Sequence, residues 1–344
     1  MKRTLGILLI VSLALHLPAQ EKLTAQDSIK VFYDQLFSAL KIGYLHKQTV
    51  NWKLVEAETK QRLAAYRNFK NSLDEIKPLF DKIGATHCTV FDQQNRYTST
   101  AKIISKEDYS TQWQKKYDTK PGFEAKVLNG KYGYILMPRM LFFDTSAANI
   151  HQIAQPLYDQ IADIKTKHQI EGWMIDLRFN TGGNSTPMLL ALYDFLGDNE
   201  VWGSLNLNKK TERSAKLKKG KYIDRSKTEP FINPSGALLD QAKVAVITGI
   251  FTASAGEVTA LAFKGRPHTI FIGESTYGAT TGNVMWPLPF EMTMALTTSY
   301  DSDRNGNYHE KIIPDITILK QDNYDELLLD QKIQEAIKWI TNKS

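Results

Sequence analysis

Val244-Ala245-Val246-Ile247-Thr248-Gly249-Ile250-Phe251-Thr252-Ala253-Ser254-Ala255-Gly256-Glu257 passes from a short, β-branched apolar run into helical spacing that continues to Phe263. Such a run reads as a buried strand and the 3.6-residue spacing after it as a helix. Ser254 therefore falls at a strand-to-helix turn, at or beside the helix N-terminus. Free backbone N–H groups and the helix dipole at that place stabilise an oxyanion, which suits a nucleophile. The plain alternative is an ordinary Ser N-cap, with Glu257 three residues on completing a capping box.

Working outward, the chain alternates. Ala147 to His168 reads as a helix, Trp173 to Leu177 as a buried strand, Pro187 to Leu196 as a helix, and Thr269 to Ile272 as another strand. This alternation predicts an α/β core. Met292 to Tyr300 and Ile312 to Ile318 read as two further strands around a polar turn at Asp301 to Asn307, and Asp325 to Ile340 as a closing amphipathic helix. Upstream, Ser28 to His46, Trp52 to Tyr66 and Leu73 to Ile83 carry apolar residues at helical spacing, and Gly84 is placed as a C-cap. Cys88 to Phe91 and Tyr132 to Met137 are strand-like. The expected organisation is a signal peptide over 1–20, a small helical region over 21–86 and an α/β core over 87–344.

The signal peptide is read from Lys2 and Arg3, the apolar run Leu5 to Leu17, and Ala19 at a plausible cleavage point. The run is too short for a confident membrane span. It predicts an exported protein, periplasmic or extracellular, with no stable membrane insertion. Its single cysteine, Cys88, cannot make an internal disulfide, so an exported chain of 344 residues must rely on its core. No Cys/His cluster offers a zinc site. The net charge of +6 is mild, and the basic run from Lys209 to Lys227 lacks interleaved aromatics. It reads as a solvated loop or hairpin and argues against a nucleic-acid partner.

Asp176-Leu177-Arg178-Phe179-Asn180-Thr181-Gly182-Gly183-Asn184 follows one expected strand and precedes a helix. Paired glycines there let the backbone approach a ligand and aim N–H groups at it; alone they are equally a tight turn. The lysine and the serine or threonine of a phosphate loop are missing. Taken with Thr252-Ala253-Ser254-Ala255-Gly256-Glu257 and Gly273-Glu274-Ser275-Thr276-Tyr277-Gly278, this segment resembles the tail-specific, or C-terminal processing, serine peptidases from about Tyr132 to Asp315. The resemblance implies a crotonase-like α/β core, a peptide or protein substrate and no cofactor. It further implies Ser254 as nucleophile, and an oxyanion hole from a glycine of the Gly182-Gly183 pair and the N–H of Ala255.

One departure matters. Family members of the Ser-Lys type carry their base where this chain has Ala279, so another base is needed. His87, in Gly84-Ala85-Thr86-His87, resembles the histidine segment of the tricorn-type branch. That resemblance implies Thr86 as the hydroxyl beside the imidazole and Glu310, ahead of Pro314-Asp315, as its orienting carboxylate. His87 is otherwise a histidine neutralising helix carbonyls, and Glu310 a solvated strand edge. His309, His268 and, less suitably, Lys264 are the rival bases. The stretch from His87 to Tyr132 is too short for the PDZ module of many family members. A binder of hydrophobic ligands or peptides, and an esterase of small acyl substrates, are the other activities that such a core supports.

Overall fold

The computed structural model describes residues 23–100, 104–226 and 228–342; the expected signal segment lies outside them. The described residues open with four α-helices, α1 (Ala25–Gly43), α2 (Trp52–Leu63), α3 (Phe69–Ser72) and α4 (Ile76–Ile83). Gly84 ends α4 at φ 70°, with its N–H on the Asp81 and Phe80 carbonyls. There follow β1 (Thr89–Phe91), β2 (Arg96–Thr98), α5 (Thr111–Asp118), β3 (Glu124–Leu128) and β4 (Tyr132–Leu136). The alternating part then runs α6 (Ala147–Lys167), β5 (Gly172–Asp176), α7 (Ser185–Ala191), α8 (Tyr193–Leu196), β6 (Glu200–Leu205), β7 (Thr211–Lys218), β8 (Lys221–Ile223), β9 (Val244–Thr248), α9 (Ala255–Phe263) and β10 (Thr269–Gly273). It closes with β11 (Thr281–Pro287), β12 (Thr293–Ser302), β13 (Ile316–Thr317) and α10 (Gln331–Thr341).

These strands make two sheets. One is ordered β13-β10-β9-β5-β4-β3 and is parallel except for β3. Strand side chains alternate between faces, and β9 shows the result. Val244 and Val246 point into a core shared with α6, α7 and α9, whereas Ala245 and Ile247 point into a second core with Trp113 of α5 and Ile333, Ala336 and Ile340 of α10. A sheet covered on both faces explains why β5 and β9 are continuous apolar runs. The other sheet, β2-β1-β12-β6-β7-β8 with β11 on β12, is antiparallel. Its Val90, Met294 and Leu296 pack beneath the N-terminal helices. The mixed α/β architecture with a helical N-terminal region is as the sequence predicts.

Several elements differ from expectation. The helix expected over 187–196 is two short helices joined at Leu192. The strand expected over 312–318 shrinks to two residues, because Pro314 interrupts it. The last helix begins only at Gln331, where Asp330 caps it by accepting from the N–H groups of Lys332 and Ile333. Asp301 and Ser302, expected in a turn, are buried at the end of β12. The part of the basic run from Thr211 to Ile223 forms the β7–β8 hairpin.

Candidate active site

β5 and β9 are parallel neighbours, so the loops leaving their carboxyl ends, 177–184 and 249–254, lie side by side. Open α/β sheets place ligands at this end. Buried Thr252 ties the two loops: its hydroxyl donates to Leu177 O (2.9 Å) and accepts from Gly249 N (3.0 Å). Ala253 N donates to Asn180 O at 3.0 Å. A Cβ on Gly256 would stand 2.4 Å from that same carbonyl, so this close approach requires glycine.

Ser254 tops this assembly at φ 53° and ψ −115°, immediately before α9. L side chains rarely adopt such a backbone, and holding one there costs about 1–3 kcal/mol. Glu257, in the first turn of α9, holds the turn. Its buried carboxylate accepts from Ser254 N (3.0 Å), Gly278 N (2.9 Å), Ala279 N (2.7 Å) and the Thr276 hydroxyl. Burial raises the pKa of Glu257, and these four donors oppose the rise. The capping-box geometry is thus present, but as the clamp of a strained turn rather than an ordinary cap.

The glycine pair lies against this turn. Gly182 has φ 112°, and a Cβ on it would come within 3.1 Å of Ser254 Cβ. Gly183 has φ 109°, and a Cβ there would meet Met140 O at 1.8 Å. Gly182 N donates to Asn180 Oδ1 at 3.2 Å. Among the described residues the N–H groups of Gly183 and Ala255 donate to no carbonyl or side chain.

A cleft of about 820 Å³ opens over these groups, lined by Ser254, Ala255 and Gly183 together with His87 and Thr281. His87 Nδ1 lies 2.6 Å from Thr281 Oγ1, and its carbonyl accepts from Asn283 Nδ2. Burial pushes the imidazole down to about 4, against an opposing hydrogen bond that the ring donates to the Thr281 backbone. At neutral pH it is uncharged and free to accept a proton.

Two expected partners of His87 are not beside it. Thr86 is exposed, and the hydroxyl on the imidazole belongs to Thr281 of β11, far away in sequence. The side chain of Glu310 is exposed too, and its tie to the site is through its carbonyl, which accepts from the Thr280 hydroxyl at 2.9 Å. The rival bases stand elsewhere. His309 Nε2 is 2.9 Å from Asp303 Oδ2, His268 lies in the turn before β10, and Lys264 follows the far end of α9 with its ammonium over the Phe271 ring.

The Asp176-Leu177-Arg178 segment has a different task. Arg178, 1% exposed, forms ion pairs with Asp176, Asp322 and Asp330, and Lys332 pairs with Asp322. This buried network anchors the glycine loop to the α10 end of the chain. Sequence reasoning also missed Asp301, which is 2% exposed in the cleft wall, with Oδ1 lacking a partner.

Residues 131–318, more than half of the chain, match peptidase family S41. The chain belongs to this family. S41 is a family of serine peptidases. It is 30% identical over 152 residues to a nisin-resistance protein of Lactococcus lactis subsp. lactis, a match covering 44% of this chain and 47% of that one. The chain thus spans about half the length of this curated relative. Among solved structures, a lipoprotein of Streptococcus agalactiae superposes with a TM-score of 0.65 at 21% identity, over 91% of this chain and 96% of that one. A peptidase-like protein of Parabacteroides merdae gives 0.59 at 16% identity, over 94% and 98%. These two show a shared fold. No helix among the described residues is long and apolar enough to cross a membrane.

Proposed function

We propose that this S41 peptidase is exported and cleaves peptide bonds with Ser254 as nucleophile, His87 as general base and Thr281 as the group that orients the imidazole. The observation that carries the assignment is Ser254 itself, held in a strained turn at the head of α9 and opening into the cleft that His87 also lines. Attack by Ser254 Oγ on the scissile carbonyl transfers its proton to the imidazole, which returns it to the leaving amine. For Nε2 to accept that proton, Nδ1 must carry its own and donate it to Thr281 Oγ1. The Gly183 and Ala255 N–H groups stabilise the oxyanion, while Gly182 N–H holds the loop shape through Asn180. Glu310 and Thr86 take no part in this arrangement. Export is supported by the signal-like N-terminus and by similarity to a lipoprotein.

The experiment is peptide hydrolysis by wild type and Ser254→Ala, with folding checked by circular dichroism. The variant is expected to fold and to lose turnover. A folded variant with wild-type turnover overturns the proposal.

A further inference from the structure

The basic run between Lys209 and Lys227 has no part in the chemistry above, yet its hairpin forms a wall of the cleft. On β7, Arg213 shares a face with Ala215 and Leu217, which enter the core beneath α7 and α9. Arg213 continues that face past the core and lines the cleft, as do Arg225 after β8, Arg96 on β2 and Arg139 after β4. All four are exposed. Arg62 and Arg178 are the arginines held in ion pairs among the described residues, and these four are not.

The opposing charge is small. The carboxyls lining the cleft are Glu212 and Asp301. Burial, with a contribution from the Glu257 charge and against the pull of the nearby Arg213 guanidinium, pushes Asp301 up to about 8, which leaves it largely protonated at neutral pH. Four guanidinium groups therefore face one carboxylate. The backbone beside them is also open. Among the described residues β11 pairs only with β12, along one edge, and its segment Asn283–Met285 lines the same cleft. An extended peptide adds to such an edge through main-chain hydrogen bonds, which are blind to sequence. Selection then falls to the charged side chains around it.

We propose that this cleft selects peptides carrying carboxylates close to the scissile bond, with Arg96, Arg139, Arg213 and Arg225 as the groups that recognise them. The inference rests on the peptidase reading of the same cleft. Guanidinium groups bind carboxylates in a bidentate fork, and concentrated charge of one sign raises the local concentration of an oppositely charged ligand.

The test uses matched peptides that share a scissile core and differ only by Asp/Glu against Asn/Gln flanks, each made with a free and an amidated C-terminus. Binding to the full-length Ser254→Ala protein is read by fluorescence anisotropy, and kcat/KM is read on wild type. The acidic peptides are expected to bind and be cleaved about tenfold better, with the preference fading towards 1 M salt as the Debye length falls to about 3 Å. The double variant Arg213→Gln/Arg225→Gln is expected to bring the acidic-to-neutral ratio down about fivefold. Lys53→Gln, an exposed cation on α2, should leave the ratio unchanged. A preference that survives amidation places the recognised carboxylates on side chains; one that amidation abolishes places them at the C-terminus. Equal binding of acidic and neutral peptides, or an unaltered ratio in the double variant, overturns the proposal. Selective binding without cleavage by wild type keeps it and sinks the peptidase reading instead.

Discussion

Replacing Thr281 by valine separates the geometry described above from its alternatives. Valine keeps the shape of the side chain and removes the hydroxyl that stands 2.6 Å from His87 Nδ1. A ring nitrogen in a low-dielectric wall then loses its hydroxyl partner, and leaving a buried polar group short of a partner costs about 1–3 kcal/mol. If that cost falls on the tautomer with the proton on Nδ1, the productive form becomes scarcer by the same free energy. At about 1.4 kcal/mol per decade, the expected loss in kcat/KM is about 10- to 100-fold. Thr281→Ser, which keeps the hydroxyl, should stay within a few-fold of wild type. Thr86→Val and Glu310→Gln should also lie near wild type, since neither side chain touches the imidazole. The assay is hydrolysis of a fluorogenic peptide, with the melting temperature of each variant measured in parallel. Wild-type activity in Thr281→Val, or an equal loss in Glu310→Gln, refutes the reasoning.

Three further outcomes follow from the same groups. Activity should rise with pH through about 4, the depressed value of His87, rather than through its unperturbed 6.5; between those values the unfolded chain binds more protons, so His87's contribution to stability is full above 6.5 and is lost as pH falls towards 4, which urea unfolding of wild type against His87→Gln would show. Asp301→Asn should remove an opposite dependence, because a carboxyl raised from 3.8 to about 8 loses stability as pH rises through that window, by at most about 6 kcal/mol; equal unfolding free energies of variant and wild type at pH 9 would contradict this. Glu257→Gln turns an acceptor of four donors into a group with its own NH₂, at a cost of about 2–4 kcal/mol and most of the activity, read by thermal unfolding and turnover; a variant as stable and active as wild type would show that the clamp is dispensable.

What the sequence disclosed was local. An apolar run, a turn and a helix around Ser254 occupy one contiguous segment, so periodicity placed the serine at the head of α9. The Gly182-Gly183 pair was legible for the same reason, since only glycine tolerates φ near 110° beside Met140 O. Thr281 was not. It reaches His87 only because β11 folds back along β12, which in turn pairs with β1 two residues after the histidine. The adjacent hydroxyl, Thr86, was the natural choice on paper, but it points to solvent. The buried ties of Arg178 were not legible either, because its partners Asp322 and Asp330, and the Lys332 that pairs with Asp322, are supplied by the far end of the chain. The polar stretch Asp301 to Asn307 reads as a turn, yet pairing with β6 carries the strand through Asp301.

The most direct test of the central assignment is labelling with a fluorophosphonate, which modifies only an activated serine, followed by mass-spectrometric mapping of the adduct. The account predicts one adduct, on Ser254, formed at neutral pH and lost in both Ser254→Ala and His87→Ala. Labelling of another serine, or labelling of Ser254 at an unchanged rate in His87→Ala, would contradict it.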